Sequence, residues 1–220
     1  MKFILFDIDD TLFPSTEFSA LARKNAINAM IGLGLKTDYA HASSCLDGII
    51  AKKGSNYGHH FDDLCRELKA GRPARYVAAA VAAYHDTKTA ILPFPTVPLT
   101  LLKLRQKGFR LYVATNGDPI KQWDKLIRLR IALYFDDVFV SEELGMEKSR
   151  GFYQKLLKQL DAKLQDCAMV GDREDVDIKP AKSLGMATVR ILSGRYASVP
   201  SEADFVIKDM AELVPIVESL

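Results

Sequence analysis

Two hydrophobic rhythms divide this chain. Short runs of β-branched and aromatic residues recur at Lys2–Phe6, Phe109–Thr115, Asp137–Val140, Cys167–Gly171, Ala187–Ile191 and Phe205–Ile207. Several are apolar at almost every position, as strands buried on both faces of a parallel sheet must be. From residue 98 onward, segments with helical spacing lie between them. They cover about 98–107 (stopped by Gly108), a stretch after Pro119, then 150–160, 176–184 (stopped by Gly185) and 209–219. Pro suits a helix's first turn and Gly the position just past its end. This alternation predicts right-handed βαβ units and an α/β fold built on a Rossmann-like, doubly wound parallel sheet.

Residues 16 to about 90 break the rhythm, with apolar positions at helical spacing and no strand pattern. Phe18, Leu21, Ala22, Ala26, Ala29, Met30 and Leu33 form one stripe, and Tyr39, Ala42, Leu46, Ile49 and Ile50 a second. Phe61, Leu64, Cys65 and Leu68 form a third, and a fourth after Pro73 holds Tyr76, Val77, Ala80, Val81 and Tyr84. Four short helices with short links predict a small inserted bundle. The expected domains are a core of residues 1–14 and 93–220 and a helical cap of residues 15–92. Prolines bound both connections, at Pro14 and along Leu92-Pro93-Phe94-Pro95-Thr96-Val97-Pro98, which suits a cap on hinges.

Composition narrows the class. The 220 residues are 48% hydrophobic and 26% charged, values that exclude disorder, collagen and a disulfide scaffold. Lys and Arg total 30 against 28 Asp and Glu, a net charge of +2. So weak a field argues for neither nucleic acid nor an anionic membrane as partner. No apolar run approaches the roughly 18–20 residues that span a bilayer, and the apolar start is cut at Asp7, too short for a secretion signal. Cys45, Cys65 and Cys167 lack paired spacing and read as reduced thiols of a cytoplasmic protein, with a Cys45–Cys65 bridge left open.

Open α/β sheets bind their ligands beyond the carboxyl ends of strands, and that is where the chemistry-bearing residues fall. Phe6-Asp7-Ile8-Asp9-Asp10-Thr11 follows the first strand. Three acids in four residues also suit a solvated loop or a calcium loop. An EF-hand, however, needs Gly sixth and Glu twelfth, where this chain has Leu12 and Phe18. The second strand runs into Thr115-Asn116-Gly117, the third leads to Glu147-Lys148-Ser149, and the fourth ends at Gly171-Asp172 with Asp175 and Asp177 beyond. Each feature alone is ordinary; all four at one end of one sheet are a strong signal.

These stretches resemble the four motifs of the haloacid dehalogenase superfamily: D-x-D-x-T at Asp7 to Thr11, then Thr115, Lys148, and Gly171-Asp172 with Asp177. A helical insertion directly after the first motif is similar to the superfamily's subfamily I cap. The segments 21–27, 83–88 and 115–123 further resemble an archaeal branch of phosphatases. Ser149 departs from the pattern, standing where many relatives carry Pro.

The resemblance implies a Mg²⁺-dependent hydrolase of small phosphate esters. Asp7 would be the nucleophile, forming an aspartyl-phosphate. Asp9 would be the acid and then the base, its backbone carbonyl also on the metal. Asp172 would ligate the metal directly and Asp177 through water, with Asp175 competing for that place. Lys148 would hold Asp7 and the phosphoryl group by charge, while Thr115 and the amides of Asn116 and Gly117 donate to phosphoryl oxygens. Electrostatics agrees. A carboxylate and a phosphate at about 4 Å repel by roughly 4 kcal/mol at an effective dielectric of 20. Mg²⁺, a hard ion that shares oxygen ligands with phosphate, offsets that repulsion.

Other readings stand beside this one. Asp10 reads as structural, bonding local amides. Gln122 and Trp123 read as helix surface or core. His59, His60 and His85 lie in the insertion, far in sequence from the acids, and read as solvated or satisfied rather than metal-binding. Lys52, Arg66, Arg72, Arg75 and the Arg195-Tyr196 pair either read an anionic substrate or solvate the surface. A 2-haloacid dehalogenase releases halide, which needs no proton, and so has no use for Asp9. A sugar-phosphate mutase would use that acid, and nothing in the sequence separates it from a phosphatase. A receiver-type phospho-acceptor is about half this length and has no cap. The partner expected is a small-molecule phosphate ester, with no nucleic acid and no membrane, and the chain is expected as a monomer or small homo-oligomer.

Overall fold

The computed structural model describes residues 2–55 and 57–220. Met1, where the expected core opens, and Asn56, inside the expected cap, lie outside the described residues. Strands β1 (Phe3–Phe6), β2 (Arg110–Thr115), β3 (Asp137–Val140), β4 (Cys167–Gly171), β5 (Ala187–Ile191) and β6 (Phe205–Ile207) form one sheet. Their order is β3-β2-β1-β4-β5-β6, and every pair is parallel. The expected α/β architecture is present. The order reverses between β1 and β4, the point where a doubly wound sheet opens a crevice at its carboxyl edge. Phe6 lies in register with Val113 of β2 and Val170 of β4, so the segments after these strands emerge at one edge.

The helices are α1 (Ser15–Gly32), α2 (Tyr39–Lys53), α3 (His60–Glu67), α4 (Ala74–Lys88), α5 (Val97–Gln106), α6 (Pro119–Arg128), α7 (Ser141–Leu144), α8 (Arg150–Gln159), α9 (Lys179–Lys182) and α10 (Leu213–Ser219). Leu5, Tyr112, Ala114, Phe139 and Met169 of the sheet pack against Phe152, Tyr153 and Leu156 of α8 and Ala181 of α9. Strand alternation turns Ile4 and Phe6 to the other face, and both are fully buried. There α5 packs against β2 and α10. Ser149 accepts a hydrogen bond from Phe152 N at 3.3 Å as the N-cap of α8, so the residue that departs from the family pattern serves the helix that carries it.

Three local outcomes differ from the periodicity. The helix expected at 176–184 opens instead with a π-helical turn, Glu174–Ile178. Asp177 N and Ile178 N both donate to Arg173 O, at 3.0 and 3.2 Å, which widens the turn by one residue. The helix expected at 209–219 is a 3₁₀ turn, Met210–Glu212, closed by an Asp209–Glu212 capping box, followed by α10. The short α7 has no counterpart in the sequence reading.

The chain forms two compact units, Met1–Thr16 with Leu92–Leu220, and Glu17–Ile91. The second is all helical, with a core of Ala26, Ile27, Met30, Ala42, Leu46, Ile49, Leu64, Cys65, Tyr76 and Ala80. Leu21 and Val81, expected on its apolar stripes, are about half exposed instead. Each neighbours an alanine that faces inward, Ala22 or Ala80, and one residue is about 100° round a helix. Leu33, past the end of α1, is likewise half exposed. In the first unit Phe94 N donates to Leu12 O at 3.0 Å, tying together the segments that flank the insertion. Among the described residues no helix is long and apolar enough to cross a membrane.

Candidate active site

The site is assembled around one buried lysine. Asp7 leaves β1 with its amide donating to Val170 O at 3.0 Å. Lys148, in the loop after α7, donates through Nζ to Asp7 Oδ1 and to Asp177 Oδ1, the latter at 2.5 Å. The π-helical turn carries Asp177 inward, and its Oδ2 accepts from Arg173 N at 3.1 Å. Gly171 makes room for it: a Cβ there would lie 2.5 Å from Asp177 Cγ. One carboxylate oxygen each from Asp7, Asp172 and Asp177 lies within 4.8 Å of the other two, and all three residues are buried. Asp175 does not join them. Its exposed carboxylate pairs with Arg173 at 3.0 and 2.5 Å.

With all three carboxylates ionised around one ammonium, this pocket would carry two negative charges in excess. Burial, with the charges of Asp177 and Asp9, lifts the Asp7 carboxyl to about 7 despite the opposing pull of Lys148. Burial, then the charges of Asp7, Asp177 and Asp10, lifts Asp172 to about 9. Burial disfavours the charge on Lys148, but Asp177 and Asp7 outweigh it and hold the group as a cation. A buried, oxygen-only donor set with a deficit of two positive charges fits a hard divalent cation.

Asp9 stands apart from this cluster. Its carboxylate, 42% exposed, is held by Lys125 of α6 at 2.7 and 2.6 Å. It therefore lies outside the acid cluster, where only the main chain of Asp9 was expected to serve a metal. Thr115 is buried at the end of β2, with its hydroxyl 3.5 Å from Asn116 O, so it holds no strong partner. One of the two amides expected to cradle a phosphoryl group, that of Gly117, is engaged within the protein. Asn116 Oδ1 accepts from Lys148 N at 2.7 Å, and Gly117 N donates to the buried Ser141 Oγ at 2.9 Å. The Gly117 amide is thus engaged by the protein, because Ser141 follows β3 at the same sheet edge. Asp10 behaves as expected of a structural residue. At φ +52° it accepts from Thr16 N at 2.9 Å and Thr16 Oγ1 at 2.5 Å.

Four contributors escaped the sequence reading: Lys125, Ser141, Arg190 and Glu174. Arg190 of β5 is fully buried. It donates to Asp172 O (3.0 Å), Glu174 Oε2 (3.2 Å), Val199 O (2.9 Å), Pro200 O (3.0 Å) and Tyr196 O (2.7 Å). Glu174 is completed by Ser201 Oγ and Glu202 N, both at 2.9 Å. The signal for this pair was an arginine inside the apolar run Ala187–Ile191, since a charge in a buried strand requires a partner.

Gln122 is buried and bonds the Asn116 carbonyl, not the surface. The histidines have local partners: His59 lies 3.6 Å from Asp62, His60 meets Gly54 O at 2.9 Å, and His85 packs edge-on against Tyr84. Arg66 pairs with Asp63 at 2.6 Å, and Arg195 lies over the Tyr196 ring. All three cysteines are free thiols, and burial pushes Cys167 up to about 12.

A parallel sheet presenting an aspartate nucleophile candidate, a lysine and paired acids at its carboxyl edge defines a class of hydrolases. The chain belongs to the haloacid dehalogenase-like hydrolase family, which it matches over residues 1–185. Over its whole length it is 46% identical to a glyceraldehyde 3-phosphate phosphatase of Methanocaldococcus jannaschii, spanning 98% of that protein. Its fold is similar to that of a HAD phosphatase from Thermococcus onnurineus, with TM-score 0.70, 24% identity and coverage of 99% and 98% of the two chains. It is also similar to the HAD-hydrolase YfnB of Bacillus subtilis bound to magnesium, with TM-score 0.71, 20% identity and 98% of both chains.

Proposed function

We propose that this hydrolase is a Mg²⁺-dependent phosphatase of small phosphorylated metabolites that works through an aspartyl-phosphate on Asp7. One observation carries the reading: a single buried lysine grips Asp7 and Asp177 beside Asp172 at the switch point of the sheet. Glyceraldehyde 3-phosphate is the first substrate to test, because the Methanocaldococcus jannaschii relative named for it aligns from end to end.

In the first half-reaction Asp7 attacks phosphorus, the bond to the leaving oxygen breaks, and a proton from Asp9 goes to that oxygen. In the second, Asp9 takes a proton from water as the water oxygen bonds phosphorus, and the bond to Asp7 breaks to release phosphate. Lys148 favours the anionic form of Asp7 and aims it, and the weakly bonded Thr115 hydroxyl is free to donate to a phosphoryl oxygen. Asp7, Asp172 and Asp177, with the carbonyl of Asp9, would hold Mg²⁺, which supplies charge compensation between nucleophile and phosphate. The helical unit Glu17–Ile91 is the cap in this reading. Three free thiols suit a reducing, cytoplasmic setting.

The test is phosphate release from glyceraldehyde 3-phosphate, a panel of phosphorylated metabolites and p-nitrophenyl phosphate, with Mg²⁺ or EDTA. Release should require metal and fall by at least about a thousandfold in Asp7→Asn. Undiminished activity in that variant, or net isomerisation without phosphate release, would remove the reading.

A further inference from the structure

Lys125 belongs to none of the four motifs, yet it is the residue that fixes Asp9. It lies three residues after Gln122 on α6, so the two side chains share a face. Its ammonium donates to both oxygens of Asp9 and to Gln122 Oε1 at 3.2 Å, which uses all three of its hydrogens. Gln122 is anchored in turn. It is buried, and its Nε2 donates to Asn116 O at 2.9 Å. Gly117 (φ +117°) leaves space for that anchor, because a Cβ there would stand 2.8 Å from Gln122 Nε2. Asn116 continues the chain to Lys148, and Lys148 to Asp7. A contiguous set of hydrogen bonds therefore links the carboxylate of Asp9 to the carboxylate of Asp7, through residues that frame the second motif.

A carboxylate that is two-fifths exposed would otherwise populate several rotamers, and proton transfer needs it within hydrogen-bond reach of one oxygen. We propose that Lys125, anchored through Gln122, is a positioning residue that holds the Asp9 carboxyl group in place for proton transfer. This rests on the reading of Asp9 as acid and base. In that reading the Asp9 proton moves to the leaving oxygen as the bond from phosphorus to that oxygen breaks and the bond from phosphorus to Asp7 forms. Asp9 is then left as a carboxylate whose two oxygens can both accept from Lys125.

The test compares kcat/KM for two esters, because this ratio covers every step through departure of the leaving group. Glyceraldehyde 3-phosphate must release an alkoxide, which needs the proton. p-Nitrophenyl phosphate releases a stabilised anion, which needs little of it. Lys125→Met should lower kcat/KM about 10–100-fold on the alkyl ester and less than about threefold on the aryl ester, a share of what general acid catalysis contributes. Lys125→Arg should recover most of the alkyl activity. Gln122→Leu, which keeps the ammonium, should lower the alkyl-to-aryl ratio severalfold. Equal losses on both esters would overturn the proposal, since they would mark a general charge or a structural role. So would a ratio that stays at the wild-type value. If glyceraldehyde 3-phosphate is not hydrolysed, the best alkyl ester of the panel takes its place; a wild-type enzyme active on no ester removes the acid–base reading, and this proposal with it.

Discussion

Replacing Arg190 with Met tests whether the motif-four loop is held from behind. The substitution keeps a long apolar stem and deletes the guanidinium, and with it five hydrogen bonds, to Asp172 O, Glu174, Val199 O, Pro200 O and Tyr196 O. Val199 and Pro200 are exposed, so water can replace those two bonds at little cost. Glu174 cannot be rescued that way: its side chain is 8% exposed beside a fully buried partner. Its carboxylate keeps only Ser201 and Glu202. Removing one member of such a pair costs about 3–5 kcal/mol. For chains of this size each kcal/mol is worth roughly 2–4 °C, which gives a fall in Tm of about 6–20 °C. Trp123, the only tryptophan, lies on α6 in the same unit, so its fluorescence reports this transition. The double variant Arg190→Met, Glu174→Gln should recover part of the loss by removing the stranded charge. A single variant within about 1 kcal/mol of wild type, or a double variant as damaged as the sum of its parts, would refute the reasoning.

Two further outcomes follow from the acid cluster. Asp7 and Asp172 sit at about 7 and about 9, both raised from 3.8. The folded protein thus binds more protons than the unfolded chain between about pH 4 and 9, and its metal-free stability falls as pH rises through that window. Thermal melts in EDTA should show Tm declining from pH 6 to 9. At one fixed concentration Mg²⁺ should stabilise more at pH 9 than at pH 6, the total reaching about 2.7 kcal/mol where that concentration is a hundredfold above its Kd; a metal-free Tm that climbs across this range would contradict the assignment. Gly171→Ala would push a methyl group into Asp177, which Lys148 and Arg173 N hold in place. It should cost about 1–3 kcal/mol and most of the phosphatase activity, measured by denaturant titration and phosphate release. Near-normal values for both would show that the turn can yield.

What was legible in the sequence depended on where the information lies. Asp7 and Asp172 follow strands, Thr115 ends one and Lys148 lies in the connection after another, and strands announce themselves by their apolar runs, so the shared edge could be inferred before any contact was seen. The resemblance favoured Asp177 over Asp175, but the turn that sends it inward could not be read. Both are acids in the same short segment, and the choice comes from the double hydrogen bond to Arg173 O that widens the turn. Lys125 and Asp9 are 116 positions apart, and a pattern read along the chain carries no information about such pairs. Ser141 was hidden for a different reason. A serine after a strand is common, and only the Gly117 amide pointing at it gives it a task.

The backbone hydrogen bond between Phe94 and Leu12 has a consequence for how such a protein can change over generations. The departure and return of the chain are tied together within the core unit, so everything from Glu17 to Ile91 hangs on two neighbouring points. The carboxylates and the lysine of the acid cluster, and the Asp9–Lys125 pair, all come from outside that stretch. Lengthening a loop between fixed ends costs only about 0.6 kcal/mol per doubling. Insertions, deletions and wholesale replacement of the helices are therefore cheap for the core. A lineage can exchange this cassette and keep the acid cluster intact.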